Sequence, residues 1–173
     1  ATLEAVKKHP HMRARLGKNQ GRGMACGFWF NFGGQTCADL AIGVDGTVAL
    51  SVGTIDVGGA RASLSLIAAE ELDVGMDRIN MIRTVTGEAP DEGITSGSNS
   101  MMESGTAVRL AAATARRHML ALAAEHLGVD AGTLEVDDGL VQSRDTNRSV
   151  TYEDLQGGKP FGIDVDPAVE TKD

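Results

Sequence analysis

Two short segments carry the residue types that hold an anion or a ligand rich in hydrogen-bonding groups. The first, Asp56-Val57-Gly58-Gly59-Ala60-Arg61-Ala62-Ser63, places a glycine pair directly before a helix pattern. Glycines let the main chain approach a ligand closely, and a helix start offers unpaired N–H groups at the positive end of its dipole. Arg61 adds a planar fork of donors suited to phosphate. Val57, Gly58, Gly59, Ala60 and Arg61 are therefore candidate binding residues. The plain alternative is a strand-to-helix turn with Arg61 in solvent. The second segment is Thr95-Ser96-Gly97-Ser98-Asn99-Ser100. One serine is enough to cap a helix, and the hydroxyls and amide here exceed that need. Ser96, Gly97, Ser98, Asn99 and Ser100 join the candidates, against the alternative of a polar loop before a capped helix.

Residues that would do chemistry on a ligand are harder to find. Glu88, Asp91 and Glu92 lie in a loop with Gly and Pro, where carboxylates are usually solvated. A general acid and base would need two of them held together. His118 and His126 are eight apart, too far for ligands on adjacent helical turns, and His9 and His11 sit in a polar N-terminal stretch. No histidine lies within a few residues of a serine or cysteine in a nucleophile-like setting. Cys26 and Cys37 fit no CxxC or Cys/His pattern with metal-ligand spacing. They are expected as buried free thiols in a reducing, cytoplasmic setting. No residue is assigned as catalytic or as a metal ligand: the chain offers a cradle without a reactive group.

The elements that must position this cradle follow from periodicity. Gly23 to Phe30 is an apolar, strand-like run ending at Gly33-Gly34. Ala38, Leu40, Ile42 and Val44 alternate with Cys37, Asp39, Ala41 and Gly43, and Val48, Leu50 and Val52 alternate beyond Asp45-Gly46, a strong hairpin signal. A meander of three antiparallel strands is predicted. Leu64, Ile67, Ala68 and Leu72 share one helical face, so a helix is predicted from near Ala60 to Leu72, followed by a strand over Arg78 to Arg83. An irregular stretch from Thr84 to Asn99 leads to Ser100-Met101-Met102-Glu103, which reads as a capping box. A helix of about 27 residues with an Ala-rich face then runs to Gly128, its left-handed stop. A second hairpin turns at Asp138-Gly139, and Thr151 opens one more helical turn. The fold class is α+β, a mainly antiparallel sheet with two helices packed on one side. Residues 1–22 are expected as a polar connector, 23–155 as the folded subdomain, and 156–173 as a tail or cut linker.

Composition narrows the partners. The formal charge is −8 and no run of Lys and Arg provides a basic face, which argues against nucleic acid. The basic residues of the first 22 positions are spread through a solvated stretch. No apolar run approaches the roughly 18 residues of a membrane span, and the first ten residues lack the apolar core of a secretion signal. Glycine, 22 of 173 residues, stands well above the usual share of roughly 7%. With aromatics at 3%, this favours tight turns and close main-chain approach.

Linked landmarks add a resemblance. Gly21-Arg22-Gly23-Met24-Ala25, Asp45-Gly46-Thr47-Val48, Gly53-Thr54-Ile55-Asp56-Val57-Gly58-Gly59 and Ala68-Ala69-Glu70-Glu71-Leu72 follow in order and spacing. Together they resemble the molybdopterin-binding large subunit of molybdenum hydroxylases, the xanthine dehydrogenase and aldehyde oxidase family, over about Leu3 to Phe161. The family's counterpart of Asp56 to Ser63 usually contains Gly-Gln-Gly, whose glutamine and backbone contact the pterin. Here Gly59 takes the glutamine's place, leaving backbone and Arg61 contacts. Gly97-Ser98-Asn99-Ser100 resembles the family's Ala-Ser-x-Ser loop, which cradles the cofactor's phosphate and pterin.

The resemblance implies molybdopterin, its dinucleotide form included, with molybdenum in the parent enzyme. It implies an oxidoreductase that hydroxylates an aldehyde or N-heterocycle with oxygen from water. Its partners would be the remainder of the large subunit and flavin and iron–sulfur subunits or domains. The family's catalytic glutamate lies C-terminal to the matching region, so this piece alone is expected to be inactive and even to bind no cofactor by itself. Self-association, or an apolar patch on the sheet or a helix, is expected where the rest of the subunit would pack. The alternative is a stand-alone, non-catalytic module that binds a phosphorylated ligand or a partner protein.

Overall fold

Glu4 in the first turn and Lys7 and Lys8 in the last complement the dipole of helix α1 (Thr2–Lys8). Pro10 then opens the short helix α2 (Pro10–Arg13), where His9 Nδ1 accepts the His11 N–H at 3.2 Å. Arg22 donates to the carbonyls of Met12 and Ala14 at 2.9 and 3.1 Å. The computed structural model describes residues 2–25, 27, 36–158 and 161–172, and the chain divides into two compact units, Ala1–Phe30 and Asn31–Asp173. None of residues 3–25 is buried. The stretch expected as a polar connector is thus helical in part, yet has no core of its own.

In the second unit, β1 (Ala38–Ile42) pairs antiparallel with β2 (Val48–Val52), Ile42 opposite Val48. Val48, Leu50 and Val52 are fully buried, with the partly exposed Ala49 and Ser51 on the other face, as the alternation requires. Of the meander's remaining strand, expected over 23–30, residues 23–25 and 27 are described and form no strand, and the rest lie outside the described residues. Cys37 is free and exposed, which corrects the expectation of a buried thiol, because it sits just before β1 begins. The turn between these strands is also wider than the two residues suggested by Asp45-Gly46. The Asp45 carboxylate accepts the Thr47 hydroxyl and N–H at 2.7 and 3.1 Å, and Gly43 N–H reaches the Thr47 carbonyl at 2.7 Å. Those bonds from Thr47 hold the Asp45 carboxyl below its ordinary range.

Helix α3 occupies the predicted span, Ala60–Leu72, and lays Leu64 and Ala68 on Leu50, Val52 and Val108. The chain returns as β3 (Ile79–Met81), parallel to β2 because a helix lies between the two strands. Helix α4 (Gly105–Leu127) ends at Gly128 in the left-handed conformation, its N–H on the Ala124 carbonyl. Small residues, among them Ala111, Ala112, Ala115 and Ala123, are buried along it. They let α4 pack close to α3 and to the strands. The second hairpin, β4 (Leu134–Asp137) and β5 (Leu140–Ser143), turns through Asp138 and Gly139, both with positive φ. That is the tight turn its Asp-Gly pair predicts. An unanticipated strand, β6 (Ser149–Thr151), pairs with β5, and Thr151 caps α5 (Tyr152–Gln156) by accepting the Asp154 N–H at 3.2 Å.

The class is α+β, but the strands divide into two three-stranded sheets, β1-β2-β3 and β4-β5-β6. One core cluster spans both, with Ile42 and Val48 from the first, Val141 and Val150 from the second, and Met119 and Leu72 from the helices. Arg78 fastens the turns of both hairpins. Its Nε donates to the Gly46 carbonyl at 3.0 Å, one Nη donates to the Asp138 carbonyl at 2.6 Å, and the other pairs with Glu153 of α5.

The last segment, expected as a tail or linker, is packed down by a buried charge. Glu71 on α3 is only 2% exposed and accepts from Arg109 and Arg116 of α4 at 3.3 and 3.4 Å. It also accepts the Lys172 N–H at 3.1 Å, while Val169 is buried and the Phe161 ring packs tilted against His118, with centroids 4.6 Å apart. A carboxylate removed from water must be matched in this way. Replacing it, Glu71→Ala, should cost about 3 kcal/mol by leaving guanidinium groups and an amide without their acceptor. Arg117→Ala at the solvent-screened Arg117–Asp166 pair should leave stability almost unchanged. Urea unfolding checks both, and equal costs would contradict the assignment of Glu71 as the clamp.

Tyr152 supplies a pH test of the core. It is 1% exposed, and its hydroxyl donates to the Leu72 carbonyl at 3.2 Å. Burial pushes its ionisation far above the ordinary range, with the Asp73 carboxylate adding to the rise. A raised value in the fold favours the neutral phenol. Its contribution is therefore complete below the unfolded value of about 10 and is lost as pH climbs past it. Tyr152→Phe should cost about 1 kcal/mol near neutral pH, and the difference from the parent should shrink at about pH 11. A difference that stays constant across that range would refute the burial argument.

Candidate functional site

Beyond Val52, β2 runs into a segment held from below by side chains. Thr54 is fully buried, and its hydroxyl donates to Ser100 Oγ at 2.8 Å. Thr84 donates to the Val52 carbonyl at 3.2 Å and receives Arg61 Nη1 at 3.2 Å. At Gly53 a side chain would collide with the Pro90 carbonyl and Glu92 Cβ, so only glycine lets the 90–92 loop pass there. The chain then turns through Gly58 and Gly59 with φ of 66 and 79°, left-handed values that favour glycine, and α3 begins. Nothing lies within 4 Å of where a Cβ would stand on either residue, so the main chain here faces open space.

Arg61 has neither of the fates the sequence allowed. Its Nη2 donates to the carbonyls of Met81 and Ile82 at 3.0 and 2.7 Å, closing the end of β3. The fork expected for phosphate is engaged by these carbonyls and by Thr84, as a partly buried guanidinium needs acceptors. Asp56 Oδ1 accepts the Arg61 main-chain N–H at 3.3 Å, setting a carboxylate near the start of α3.

The second segment descends from Glu92. This carboxylate, expected to be solvated, is partly buried and accepts the hydroxyl of the fully buried Ser104 at 2.8 Å. Gly97 and Ser98 both adopt left-handed φ, 60 and 64°, a conformation that costs energy at a serine. The helix then opens through a wide turn, Ser100–Ser104, with five-residue spacing before α4 proper. The capping box is not formed. Asn99 is the residue at the helix start, its side chain makes no cap bond, and Ser100 lies inside the turn with its oxygen receiving the Thr54 hydroxyl. Tertiary pairing with Thr54 has taken the oxygen that local capping would use.

Both openings line one cavity of about 420 Å³. Of the candidates, Val57, Gly58 and Ala60 come to it from the first segment and Ser96, Gly97, Ser98, Asn99 and Ser100 from the second. Gly59 and Arg61 do not line it. Ser63, Thr95, Ile55 and Met101 complete the wall. The apolar members Ile55 and Val57 are more than half exposed, which only a view of the surface discloses. Thr54, Thr84 and Glu92, which hold the site from behind, carry no local sequence signal. Among the described residues no charged side chain lines the cavity, and the polar groups on its wall are hydroxyls, a carboxamide and main-chain amides. Asn99 Oδ1 is buried without a hydrogen-bond partner. Such a donor set, with open space at the glycines, fits a flat polar ring or a phosphate held by neutral groups. Among the described residues, no group of three His, Cys, Asp or Glu is placed to hold a metal ion, and no helix is long and apolar enough to cross a membrane.

Comparison with known proteins identifies a family for this chain. Residues 2–165 match the family described as the molybdopterin cofactor-binding domain. A nicotinate dehydrogenase subunit from Pseudomonas putida is 39% identical over 127 residues, which is 73% of this chain and 11% of that protein. The crystal structure of Cu,Mo-CO dehydrogenase in its carbon monoxide-reduced state matches with a TM-score of 0.63 at 28% identity. That match covers 70% of this chain and 16% of the other. Quinoline 2-oxidoreductase from Pseudomonas putida 86 gives a TM-score of 0.60 at 21% identity, with 71% and 16% covered, and at that identity it bears on the fold alone. The chain thus spans 11% of its curated relative and 16% of each of these solved chains.

The placement of Arg61 has a direct consequence. Arg61→Ala should destabilise the ligand-free protein by about 2 kcal/mol, because charged donors leave the carbonyls closing β3. Amide hydrogen exchange should quicken over residues 79–84 in the same variant. A residue serving only a ligand would leave both measurements unchanged.

Proposed function

Because the chain belongs to the family of molybdopterin cofactor-binding domains, we propose that it forms part of the large subunit of a molybdenum hydroxylase and that the cavity between Gly58 and Ser100 receives the pterin cofactor. The observation that carries this reading is the convergence of two helix openings, about 40 residues apart in sequence, on one wall of hydroxyls and main-chain amides. Val57, Gly58 and Ala60 offer main chain on one side, and Ser96, Ser98 and Ser100 offer hydroxyls on the other. Asn99 brings a carboxamide whose oxygen still lacks a donor. Arg61 and Gly59 act from behind by fixing the path of the main chain.

When bound, molybdenum on the pterin supplies the oxidation of an activated C–H with oxygen from water. The part of this chain is to grip and orient the cofactor and to keep one side of it from water. The C–H would belong to an aldehyde or an N-heterocycle, and the glutamate that moves the proton would come from elsewhere in the large subunit. Electrons would leave through flavin and iron–sulfur partners. The small share of each relative that the chain covers supports this division of labour. The exposed Ile55, Val57, Leu66, Met101 and Ile94 suit burial under the rest of the large subunit. A reducing cytoplasm suits the free, exposed Cys37.

Purification of the complete native polypeptide with its partners tests the proposal. Molybdenum by elemental analysis and a pterin by fluorescence after oxidation should both be recovered in near-stoichiometric amount. An intact complex devoid of both would overturn it.

A further inference from the structure

We propose that Thr54, sealed beneath the cavity, is a positioning residue that makes the Ser100 hydroxyl a fixed donor toward an acceptor oxygen of the bound pterin cofactor. This inference rests on the reading of the cavity as a pterin site. It begins from a question of proton direction. The Thr54 and Ser100 oxygens lie 2.8 Å apart, and each hydroxyl has one proton to give. Thr54 is fully buried, and its hydroxyl has no other acceptor among the described residues. If Ser100 donated to Thr54, the Thr54 proton would be stranded in the core without water, an arrangement that folded proteins avoid. Thr54 therefore donates. Ser100 Oγ accepts, and its own proton is left to point elsewhere.

Ser100 lines the cavity, so that proton is available to a ligand. The serine is also held in place. It opens the wide turn Ser100–Ser104, whose far end is fixed by the Ser104 bond to Glu92, while Thr54 is tied through its own carbonyl and that of Val52 to the Thr84 hydroxyl. A hydroxyl in solution divides its proton among many partners. This one is aligned before the ligand arrives, which reduces the ordering cost of binding. The Thr54–Ser100 bond also joins the two segments that form the cavity, so one interaction sets both the shape of the site and the polarity of one of its donors.

The test uses the native polypeptide that carries this chain, with its own bound pterin as the probe. Pterin release during dialysis is followed by fluorescence after oxidation. Ser100→Ala and Thr54→Val should each speed release by about fivefold, the weight of one hydrogen bond. Thr54→Ser keeps the hydroxyl and should restore the parent rate. Thr54→Val should add nothing in a Ser100→Ala background, because two residues acting through one contact are not additive. A purely structural Thr54 would give additive rates in that double variant, and additivity overturns the proposal. Should Thr54→Val fail to fold, Thr54→Ala removes the hydroxyl without adding a buried methyl in its place, and the same cycle applies. Release unchanged in Ser100→Ala overturns the proposal without any Thr54 variant. A parent that carries no pterin defeats the site reading itself, whereas a pterin-bearing parent with additive or absent effects defeats only the role of Thr54.

Discussion

Neither Gly59 at the start of α3 nor Asn99 at the start of the α4 turn supplies a side-chain cap of its own, and much of what surrounds the cavity compensates for that. Gly59 has no side chain to offer, and Asn99 does not use its own. An absent cap costs about 1 kcal/mol per helix. The fold is well able to cap helices elsewhere: Thr151 caps α5, and Asp130 caps the single turn Ala131–Thr133. At α3 a side chain from outside the helix, Asp56, accepts one amide, that of Arg61. Amides left without intrahelical or capping partners are what an incoming acceptor needs.

Leaving helix starts open requires that something else hold them still. Arg61 fastens the first turn of α3 to the end of β3, and Thr54 and Glu92 fasten the two ends of the wide turn that leads into α4. Behind these lie the larger clamps. Arg78 locks the two hairpin turns to α5, and Glu71 binds α3 to α4 and to the last segment. Each clamp is a charged or hydroxyl group matched where water is scarce, so each is costly to remove. Within these clamps Arg116 Nε and Glu153 Oε2 are buried without a partner, as Asn99 Oδ1 is on the cavity wall, so unmet bonds occur in the frame as well as at the cavity.

Local signals are legible wherever one segment decides its own conformation. The alternation of Val48, Leu50 and Val52, the span of α3, the Gly128 stop, the tight Asp138-Gly139 turn and the Thr151 cap can all be read along the chain. What cannot be read depends on a partner far away in sequence. Asp45-Gly46 resembles Asp138-Gly139, yet the bonds between Asp45, Gly43 and Thr47 make a wider turn of it. The capping box fails because Thr54, 46 residues earlier, takes the serine oxygen. Glu92 reads as a solvated acid because its partner Ser104 lies beyond the Gly/Pro loop, on the far end of the wide turn. The final segment reads as a linker because nothing in it announces that Glu71 must be satisfied. At the site itself, the candidates that converge are small, hydroxylated or helix-initial, which are local properties. Arg61 escapes that logic because its acceptors belong to β3 and the residue after it.

Glycine at position 59 follows from the backbone. Where the family resembled by this sequence usually carries glutamine, the main chain here turns through φ of 79°. A glutamine would cost roughly 1–2 kcal/mol in that conformation, while glycine adopts it without penalty. The left-handed pair Gly58-Gly59 and the absent side chain are therefore one choice rather than two. Giving up the side-chain contact leaves the opening of α3 to act through main chain alone, with Asp56 already near one of its amides. The polar side chains of the cavity are gathered mainly on the opposite wall, at Ser96, Ser98, Asn99 and Ser100. That wall bears the left-handed serine and the carboxamide oxygen without a donor. The left-handed serine and the unmet hydrogen bond thus lie on one side of the cavity, while the other turns through glycines that adopt positive φ without strain.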